Sequence, residues 1–395
     1  IIYLYDDNKI KNKSFDINKI IKKKIDHIII SPGINIEKCK LTRFLKKNLR
    51  KINTDLDVYF SVYGKNKNIT ITGTNGKSTT AKIIYEVLIK NKIDARLVGN
   101  IGNPILLEKK ITSKTVFVIE ASSYQLDYSK FFKSNVGVIL NISPDHLDRH
   151  KSLKNYIRAK FKLIKNQSRK DFAVLNANNE YINRQLHTQK FLSKIIKVNT
   201  KIISSILKKV DNPYFLTDGN KENLSFVFEI AKLFKIKKNL LFKVLNKFNG
   251  LKYRQQTIFK SKNLTIINDS KATSYSSSVS ILKSMTNVHW LVGGQPKKGD
   301  RFLLKRNECK DLKAYIFGKN RNFFMKELRN KIKYQTFVDL KSSLKKIFLN
   351  IKNDKNVKHQ IILFSPAAAS FDDFKNFEER GKYFNDLIKK VFNVK

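Results

Sequence analysis

The 395-residue chain is poor in cysteine, proline and acidic residues. Its only cysteines, Cys39 and Cys309, lie far apart and form no CxxC pair, so neither a disulfide framework nor a cysteine metal site is indicated. No apolar run approaches the ~18 residues of a membrane span. The N-terminus lacks the basic start and apolar middle of a signal peptide. We therefore expect a cytoplasmic protein without a membrane segment, in a reducing compartment.

Acidic residues are outnumbered by basic ones, 32 to 80, which gives a formal charge of +48. Such a charge is typical of nucleic-acid-binding proteins. The lysines, however, are spread over the whole length among many asparagines and isoleucines, and no RNA-binding or zinc-finger pattern is present. A codon bias explains this distribution better, so we expect no nucleic-acid partner. Nucleic-acid binding remains the alternative from a different functional class.

Apolar segments alternate with amphipathic stretches along most of the chain. This alternation predicts an α/β fold with parallel sheets covered by helices. It also predicts a helical stretch over 221–248. Polar clusters follow six of the predicted strands: "GTNGKST", "EASSYQLD", "NISPDHLDRH", "NDSKATS", "GGQPKKGD" and "SPAAASFDDF". Because open α/β sheets bind ligands at the carboxyl ends of their strands, we expect these clusters to carry the function.

The stretch "ITITGTNGKSTTAK" has the context of a phosphate loop, since a strand precedes it and a helix follows. The Walker A pattern requires Gly, four residues and then Gly-Lys-Ser/Thr, but here Ile71 stands at the first glycine position. If the loop binds phosphate, its backbone N–H groups cradle the anion. Lys77 would then reach the β- and γ-phosphates, and Ser78 would hold Mg²⁺. Spacing alone leaves a solvated lysine turn as an equal alternative.

Two further clusters favour the phosphate reading. Glu120 ends a predicted strand, where a phosphate-loop enzyme places an acid for Mg²⁺. His146 follows another strand, with Asp145 and Asp148 beside it; a hydrogen-bonded loop histidine is its structural alternative, and helix capping is favoured for Asp145.

Taken in order, "GTNGKST", "EASSYQLD", "SPDHLDRH", "NDSKAT", "GG…K" and "SPAAASFDDFKNFEERG" resemble the Mur ligases over nearly the whole chain. "NDSKAT" and "SPAAASFDDFKNFEERG" point to the branch that adds D-glutamate. The resemblance implies a shortened phosphate loop and three domains. These are a truncated N-terminal Rossmann-like UDP-binding domain (1–56), a central P-loop ATPase domain (57–251) and a C-terminal Rossmann-like domain that binds D-glutamate (252–395).

The resemblance also implies an ATP and Mg²⁺ site. It assigns one Mg²⁺ to Ser78 and Glu120 and a second Mg²⁺ to His146. Lys160, the further metal residue, matches a lysine that the family carbamylates with CO₂. From the residues alone, Lys160 would be an ordinary helix-surface lysine. The implied ATP contacts are Gly73, Thr74, Asn75, Gly76, Lys77, Ser78, Thr79, Asn223, Arg254 and Asp269.

For the substrates, the resemblance implies a monomeric enzyme that takes UDP-N-acetylmuramoyl-L-alanine and D-glutamate through an acyl phosphate. Asn100 and Ser122 match contacts to the muramoyl-alanine end, and the turn Ser31-Pro32-Gly33-Ile34 matches the uridine domain. A plain β-turn is an equal explanation of that turn. Residues matching the D-glutamate site are Lys271, Thr273, Lys297, Ser370 and Phe377.

Three departures from the family pattern stand out. Tyr253 occupies a position that is usually histidine. Lys298 competes with Lys297 for the same role. The family's first strand and its glycine-rich turn have no counterpart, which predicts a truncated uridine pocket edged by Asp6 and Asp7. The alternative functions that remain for the whole chain are those of another Mur ligase or of a folylpolyglutamate synthase. The chain could also be an inactive remnant.

Overall fold

The computed structural model describes residues 22–200, 209–215, 217–297, 299–354 and 359–392. Asp6 and Asp7, expected at the edge of the uridine pocket, and Lys298, the alternative to Lys297, lie outside these residues. The described residues fall into two units, one within Ile1–Lys209 and Glu222–Leu245, the other within Val210–Lys221 and Asn246–Lys395.

The first unit begins with a small parallel sheet of two strands, β1 (Ile28–Ile29) and β2 (Ile52–Asn53). Two helices accompany it, α1 (Thr42–Lys47) and α2 (Asp55–Tyr63). The α2 helix starts here because Asp57, in its first turn, accepts the Thr54 N–H on Oδ2 at 3.1 Å, which satisfies a backbone N–H group at the helix start. The small core around the two-stranded sheet is formed by Ile30, Ile36, Leu45 and Ile52.

A second, larger sheet of the first unit has six strands, all parallel. They are β3 (Asn68–Thr72), β4 (Ala95–Gly99), β5 (Val116–Glu120), β6 (Val136–Ile139), β7 (Phe172–Asn176) and β8 (Lys194–Val198). Their spatial order is β4-β5-β3-β6-β7-β8. Every residue of β3, β5 and β6 is buried, as is usual for parallel strands covered on both faces.

The helices around this sheet are α3 (Lys77–Lys90), α4 (Ser123–Tyr128), α5 (Leu147–His150), α6 (Leu153–Lys165), α7 (Glu180–Thr188), α8 (Asp218–Leu233) and α9 (Lys238–Asn246). The predicted helical stretch over 221–248 is therefore two helices rather than one. Lys235, between them, has φ 53, and a left-handed residue ends a helix. Hydrophobic periodicity continues across the break, so the sequence pattern alone does not reveal it.

The second unit contains another six-stranded sheet, in the order β13-β12-β11-β14-β10-β9. Its strands are β9 (Gln256–Lys260), β10 (Leu264–Asn268), β11 (Val288–Val292), β12 (Leu312–Phe317), β13 (Lys333–Phe337) and β14 (Gln360–Phe364). Five of them are parallel, whereas the edge strand β9 pairs antiparallel to β10. The prediction of an α/β fold with parallel, helix-covered sheets is confirmed, and the antiparallel edge strand β9 is an addition that was not predicted.

The helices of the second unit are α10 (Tyr275–Lys283), α11 (Arg321–Leu328), α12 (Leu340–Asn353) and α13 (Phe377–Phe392). Short 3-10 turns occur in the second unit at Pro213–Phe215 and Arg306–Cys309, and in the first unit at Leu49–Lys51 and Ile105–Leu107. Apolar clusters lie on both faces of this second sheet, one around Trp290 and Phe302 and the other around Phe364 and Phe384.

The polar clusters follow neighbouring strands in both units. In the first unit, "GTNGKST", "EASSYQLD" and "NISPD" come directly after β3, β5 and β6, and β3 lies between the other two. In the second unit, "NDSKAT", "GGQPKK" and "SPAAAS" follow β10, β11 and β14, with β14 in the middle. Each sheet therefore presents side by side, at its carboxyl edge, three of the loops that are expected to be functional.

Candidate active site

The phosphate loop lies between β3 and α3 and is braced by the next strand. Asn141, just beyond β6, accepts the Thr74 N–H on its carbonyl at 2.9 Å and the Asn75 N–H on its side-chain Oδ1 at 2.9 Å. Gly76 precedes α3 with φ 82, a conformation that glycine adopts without strain. A Cβ atom on Gly76 would lie 2.1 Å from Oδ1 of Asn223. The structure thus places Asn223 directly against the loop.

Two lysines converge on one carbonyl of this loop. The Lys77 Nζ donates to the Gly73 carbonyl at 2.9 Å and to the Thr74 carbonyl at 2.8 Å. The Lys160 Nζ donates to the same Gly73 carbonyl at 2.8 Å. The loop therefore holds both side chains that the resemblance assigns to phosphate and metal chemistry.

Lys160 is buried in α6, with 1% of its surface exposed and its Nζ 4.5 Å from the centre of the Tyr156 ring. The expectation of an ordinary surface lysine is wrong, because residue 160 falls on the face of α6 that also buries Tyr156 and Leu163. Burial, reinforced by the charge of Lys77, lowers the pKa of Lys160 well below its ordinary value. The neutral amine is thereby favoured, and only the neutral form can add to CO₂.

Glu120, the last residue of β5, is 1% exposed. Its Oε1 accepts a hydrogen bond from Asn100 Nδ2 at 3.1 Å, and its Oε2 has no hydrogen-bond partner among the described residues. A buried carboxylate oxygen without a partner is costly. A bound cation would remove that cost, so Glu120 fits the Mg²⁺ role. Asn100, expected to contact substrate, is also the side chain that holds Glu120.

His146 lies in the loop after β6 with φ 54. Its Nδ1 is 2.9 Å from the Tyr124 hydroxyl, and its Nε2 is 3.4 Å from Asp145 Oδ2. His146 itself, not Asp145, precedes α5, and Asp145 instead accepts the His146 N–H at 2.9 Å. The predicted capping role of Asp145 is therefore wrong.

A second histidine, His150, contacts the same Tyr124 side chain that contacts His146. It is buried, its Nε2 lies 3.0 Å from the Ser123 hydroxyl, and its ring stacks on Tyr124. Burial lowers the pKa of His150, which favours the neutral ring. Tyr124 thus contacts both histidines. Tyr124 was not among the predicted site residues, although it stands inside the "EASSYQLD" motif.

The substrate-side residues of the first unit have local partners. Ser122 caps α4 through a reciprocal box with Gln125, whose Nε2 donates to Asp55 Oδ2 at 2.9 Å. The turn at residues 31–34 closes with a hydrogen bond from the Ile34 N–H to the Ser31 carbonyl at 3.0 Å. The Arg149 guanidinium donates to the Ile34 carbonyl and stacks over the Tyr124 ring. The turn is thus attached to the segment that carries His146.

In the second unit, Asp269 is buried at the end of β10. Its Oδ1 accepts the Gln255 N–H at 3.1 Å, and its Oδ2 accepts the Ser365 hydroxyl at 3.0 Å. Burial raises the pKa of Asp269 to about 7, although Arg254 and Arg380 oppose the shift. The two residues expected to contact ATP from this unit, Arg254 and Asp269, are therefore electrostatically coupled.

The residues expected to bind D-glutamate differ in their burial and in the contacts that they make. The Lys271 Nζ lies 4.1 Å from the centre of the Phe377 ring, and Ser370 is buried just after β14. Thr273 is half-buried between β10 and α10, whereas Lys297 is exposed. Tyr253, the departure from the family pattern, has φ 62, and its carbonyl accepts the Lys271 N–H at 3.0 Å.

Among the described residues, no three His, Cys, Asp or Glu side chains lie close enough together to hold a metal ion. No helix in the same ranges is long and apolar enough to cross a bilayer.

Comparison with known proteins identifies the family. The model of the Mur ligase middle domain matches residues 71–243. The UDP-N-acetylmuramoylalanine–D-glutamate ligase of Rickettsia bellii is 31% identical, over 97% of this chain and 91% of that protein. The enzyme of the same name from Francisella philomiragia is 33% identical, over 93% of this chain and 86% of that protein. The chain belongs to the Mur ligases.

Within the Mur ligases, these relatives place the chain among the D-glutamate ligases. Solved structures support the Mur ligase fold. MurF from Acinetobacter baumannii aligns with a TM-score of 0.62 at 16% identity, covering 85% of this chain and 79% of that one. MurF from Thermotoga maritima in complex with ADP aligns with a TM-score of 0.60 at 14% identity, covering 93% and 99%.

Proposed function

We propose that this Mur ligase joins D-glutamate to UDP-N-acetylmuramoyl-L-alanine with ATP, in peptidoglycan precursor synthesis. The observation that carries the proposal is the pair of lysines, Lys77 and Lys160, on the Gly73 carbonyl at the end of β3. Family membership supplies the reaction type, and relatives named UDP-N-acetylmuramoylalanine–D-glutamate ligases supply the substrates.

The reaction would run in two steps. The carboxylate oxygen of the muramoyl-alanine attacks the γ-phosphorus of ATP, the bond to ADP breaks, and an acyl phosphate forms. The amine of D-glutamate then attacks the acyl carbon, loses a proton, and inorganic phosphate leaves. Such phosphoryl transfer depends on positioning and on neutralising charge. Lys77 would exchange the carbonyls of Gly73 and Thr74 for phosphate oxygens.

The proposed metal is Mg²⁺, which would neutralise negative charge on the phosphates. Ser78 and Glu120 would hold one ion, and His146 would hold a second. A carbamate formed on Lys160 would be a further metal ligand. The buried, unpaired Oε2 of Glu120 supports this assignment. A carbamate on Lys160 would add a further anionic oxygen pair at a position where an ammonium group would repel the metal.

The domain roles follow the same proposal. Residues 1–56 would contact the uridine end of the substrate, with the turn of Ser31, Pro32 and Gly33. The central domain, 57–251, would carry the ATP site, including Asn223 against Gly76. The C-terminal domain, 252–395, would bind D-glutamate through Lys271, Thr273, Lys297, Ser370 and Phe377. We further propose a monomeric, cytoplasmic enzyme.

The test is phosphate release from ATP with Mg²⁺, UDP-N-acetylmuramoyl-L-alanine and D-glutamate, leaving out each substrate in turn. Lys77→Met should abolish release. Lys82→Met is the matched control, because Lys82 lies on the same helix and its described contacts are with Tyr85 and Glu86 of that helix. Activity with a dipeptide-extended muramoyl substrate or with a folate instead would assign another ligase of the superfamily. L-Glutamate accepted as well as D-glutamate would also contradict the proposal.

A further inference from the structure

Arg380, in the first turns of α13, is 1% exposed and joins two of the functional loops of the second unit. Its Nε donates to the Ser270 hydroxyl at 3.1 Å, and one terminal nitrogen donates to the Ser270 carbonyl at 2.8 Å and the Ala368 carbonyl at 2.9 Å. The other terminal nitrogen donates to the Ala369 carbonyl at 3.2 Å. One guanidinium therefore ties the loop after β10 to the loop after β14.

The same group reaches the other two segments that carry predicted D-glutamate contacts. The Ser270 hydroxyl, which accepts from the Arg380 Nε, itself donates to the Phe377 carbonyl at 2.9 Å. Arg380 is therefore linked to the segment of Phe377 through one hydroxyl. A Cβ atom on Gly294 would lie 2.6 Å from the Ala369 carbonyl and 2.9 Å from the Arg380 guanidinium. The glycine thus lets the loop after β11, which leads to Lys297, approach closely.

Arg380 is not placed to bind substrate itself. A guanidinium has five N–H donors in a rigid planar fork, and four of them are directed to protein oxygens. Burial lowers the pKa of Arg380 to about 10, with Asp372 and Asp269 opposing the shift, so the side chain stays charged at neutral pH. Burying a charge is expensive compared with an apolar residue of similar size. The charged fork in turn fixes the positions of the backbone carbonyls that accept its hydrogen bonds.

We infer that Arg380 is the positioning residue of the D-glutamate site: its fork sets the relative position of the segments bearing Thr273, Ser370 and Phe377. This inference rests on the proposed function. An amino dicarboxylate must be held by groups from several loops at once, and a misplacement of about 1 Å can cost about 100-fold in rate. Arg380 acts through those loops and touches neither substrate nor nucleotide.

The experiment compares Arg380→Lys with the wild-type enzyme in the phosphate-release assay. Lysine keeps the charge but loses the fork, so we expect the KM for D-glutamate to rise about 10- to 100-fold while the KM for ATP stays within about twofold. Ser270→Ala removes only the hydroxyl between Nε and the Phe377 carbonyl, and should raise the KM for D-glutamate in the same direction by less.

Arg321→Met is the matched control. Arg321 lies in the same unit, is half-buried and also donates to two carbonyls, those of Gly318 and Phe337, but it contacts none of the predicted D-glutamate segments. It should lower the temperature of unfolding without changing the KM for D-glutamate. If Arg380→Lys and Arg321→Met change both KM values alike, or if Arg380→Lys leaves the KM for D-glutamate unchanged, the inference is overturned.

Hydrogen exchange separates this inference from the proposed function. Arg380→Lys should speed amide exchange in residues 269–273 and 366–371, with exchange in α3 unchanged. A wild-type enzyme that needs no D-glutamate would refute the proposed function. Unaltered exchange in the two loops would refute the positioning role, whatever the substrate is.

Discussion

The contact between Gly76 and Asn223 makes the nucleotide site sensitive to a single methyl group. In Gly76→Ala the added Cβ would start 2.1 Å from Asn223 Oδ1, so the amide must retreat by about 1 Å to reach an allowed contact. The φ of 82 adds a left-handed strain, which costs an L-residue about 1–2 kcal/mol. Losing the expected ATP contact of Asn223 adds about 1 kcal/mol.

These costs act on nucleotide binding because the alanine loop relaxes in the free enzyme and must be forced back by the ligand. We expect ADP to bind about 2–3 kcal/mol more weakly, which is about 30- to 150-fold in Kd. Isothermal titration calorimetry with Mg-ADP measures the difference directly.

A double-mutant cycle separates the two contributions. In an Asn223→Ala background the side-chain clash is gone, so Gly76→Ala should there cost only the backbone strain of about 1–2 kcal/mol. Gly219→Ala serves as the control, because its Cβ would have no neighbour within 4 Å. If Gly76→Ala binds ADP as tightly as the wild-type chain, the loop does not hold nucleotide in this conformation.

Three further outcomes are expected. Lys160→Met keeps the buried stem but removes the amine, so phosphate release should fall about 10²–10³-fold. The unmodified enzyme should lose activity in CO₂-free buffer and regain it with bicarbonate; no response to either change would refute the carbamate. Glu120→Gln keeps the size of the side chain but removes its charge, so the Mg²⁺ concentration for half-maximal activity should rise about tenfold or more; an unchanged Mg²⁺ titration would exclude Glu120 from the metal. Burial lowers the pKa of His289 from 6.5 to about 4, so between these values the unfolded chain binds a proton that the folded chain does not. The free energy of unfolding should therefore fall by up to about 3 kcal/mol as the pH drops from 6.5 to 4, and His289→Gln should remove this dependence in urea titrations at pH 5 and 7.

Much of the fold was predictable because buried parallel strands have a distinctive composition. The segments that became β5 and β6 are almost entirely apolar, β3 alternates isoleucine with threonine, and all three lead into polar clusters. These features indicated both the sheet and the edge that carries the candidate site. The β9 strand was missed because none of its residues is fully buried, and it lies antiparallel at the edge of its sheet. Such a strand has neither the apolar run nor the following helix that marked the others.

The site was predictable where a residue type is rare and unpredictable where it is common. Glu120 stands out as an acid at the end of an apolar strand. Lys160 does not stand out among the many lysines of this chain, although its spacing from Tyr156 and Leu163 put it on the buried face of α6. Arg380 was hidden for a different reason, since its partners are backbone carbonyls, and a sequence pattern contains no information about those.

The bracing of the loop by Asn141 explains how a phosphate loop works without the first Walker glycine. Ile71 is fully buried in β3, so at the position where the Walker pattern has glycine this chain is still a strand. The turn begins two residues later, and its shape is set by the Asn141 carbonyl and side chain, which take the N–H groups of Thr74 and Asn75. A loop shaped from the neighbouring strand needs fewer residues of its own. The same short turn brings the Gly73 carbonyl to both Lys77 and Lys160, so a change in the charge of Lys160 acts directly on the lysine that is proposed to bind phosphate.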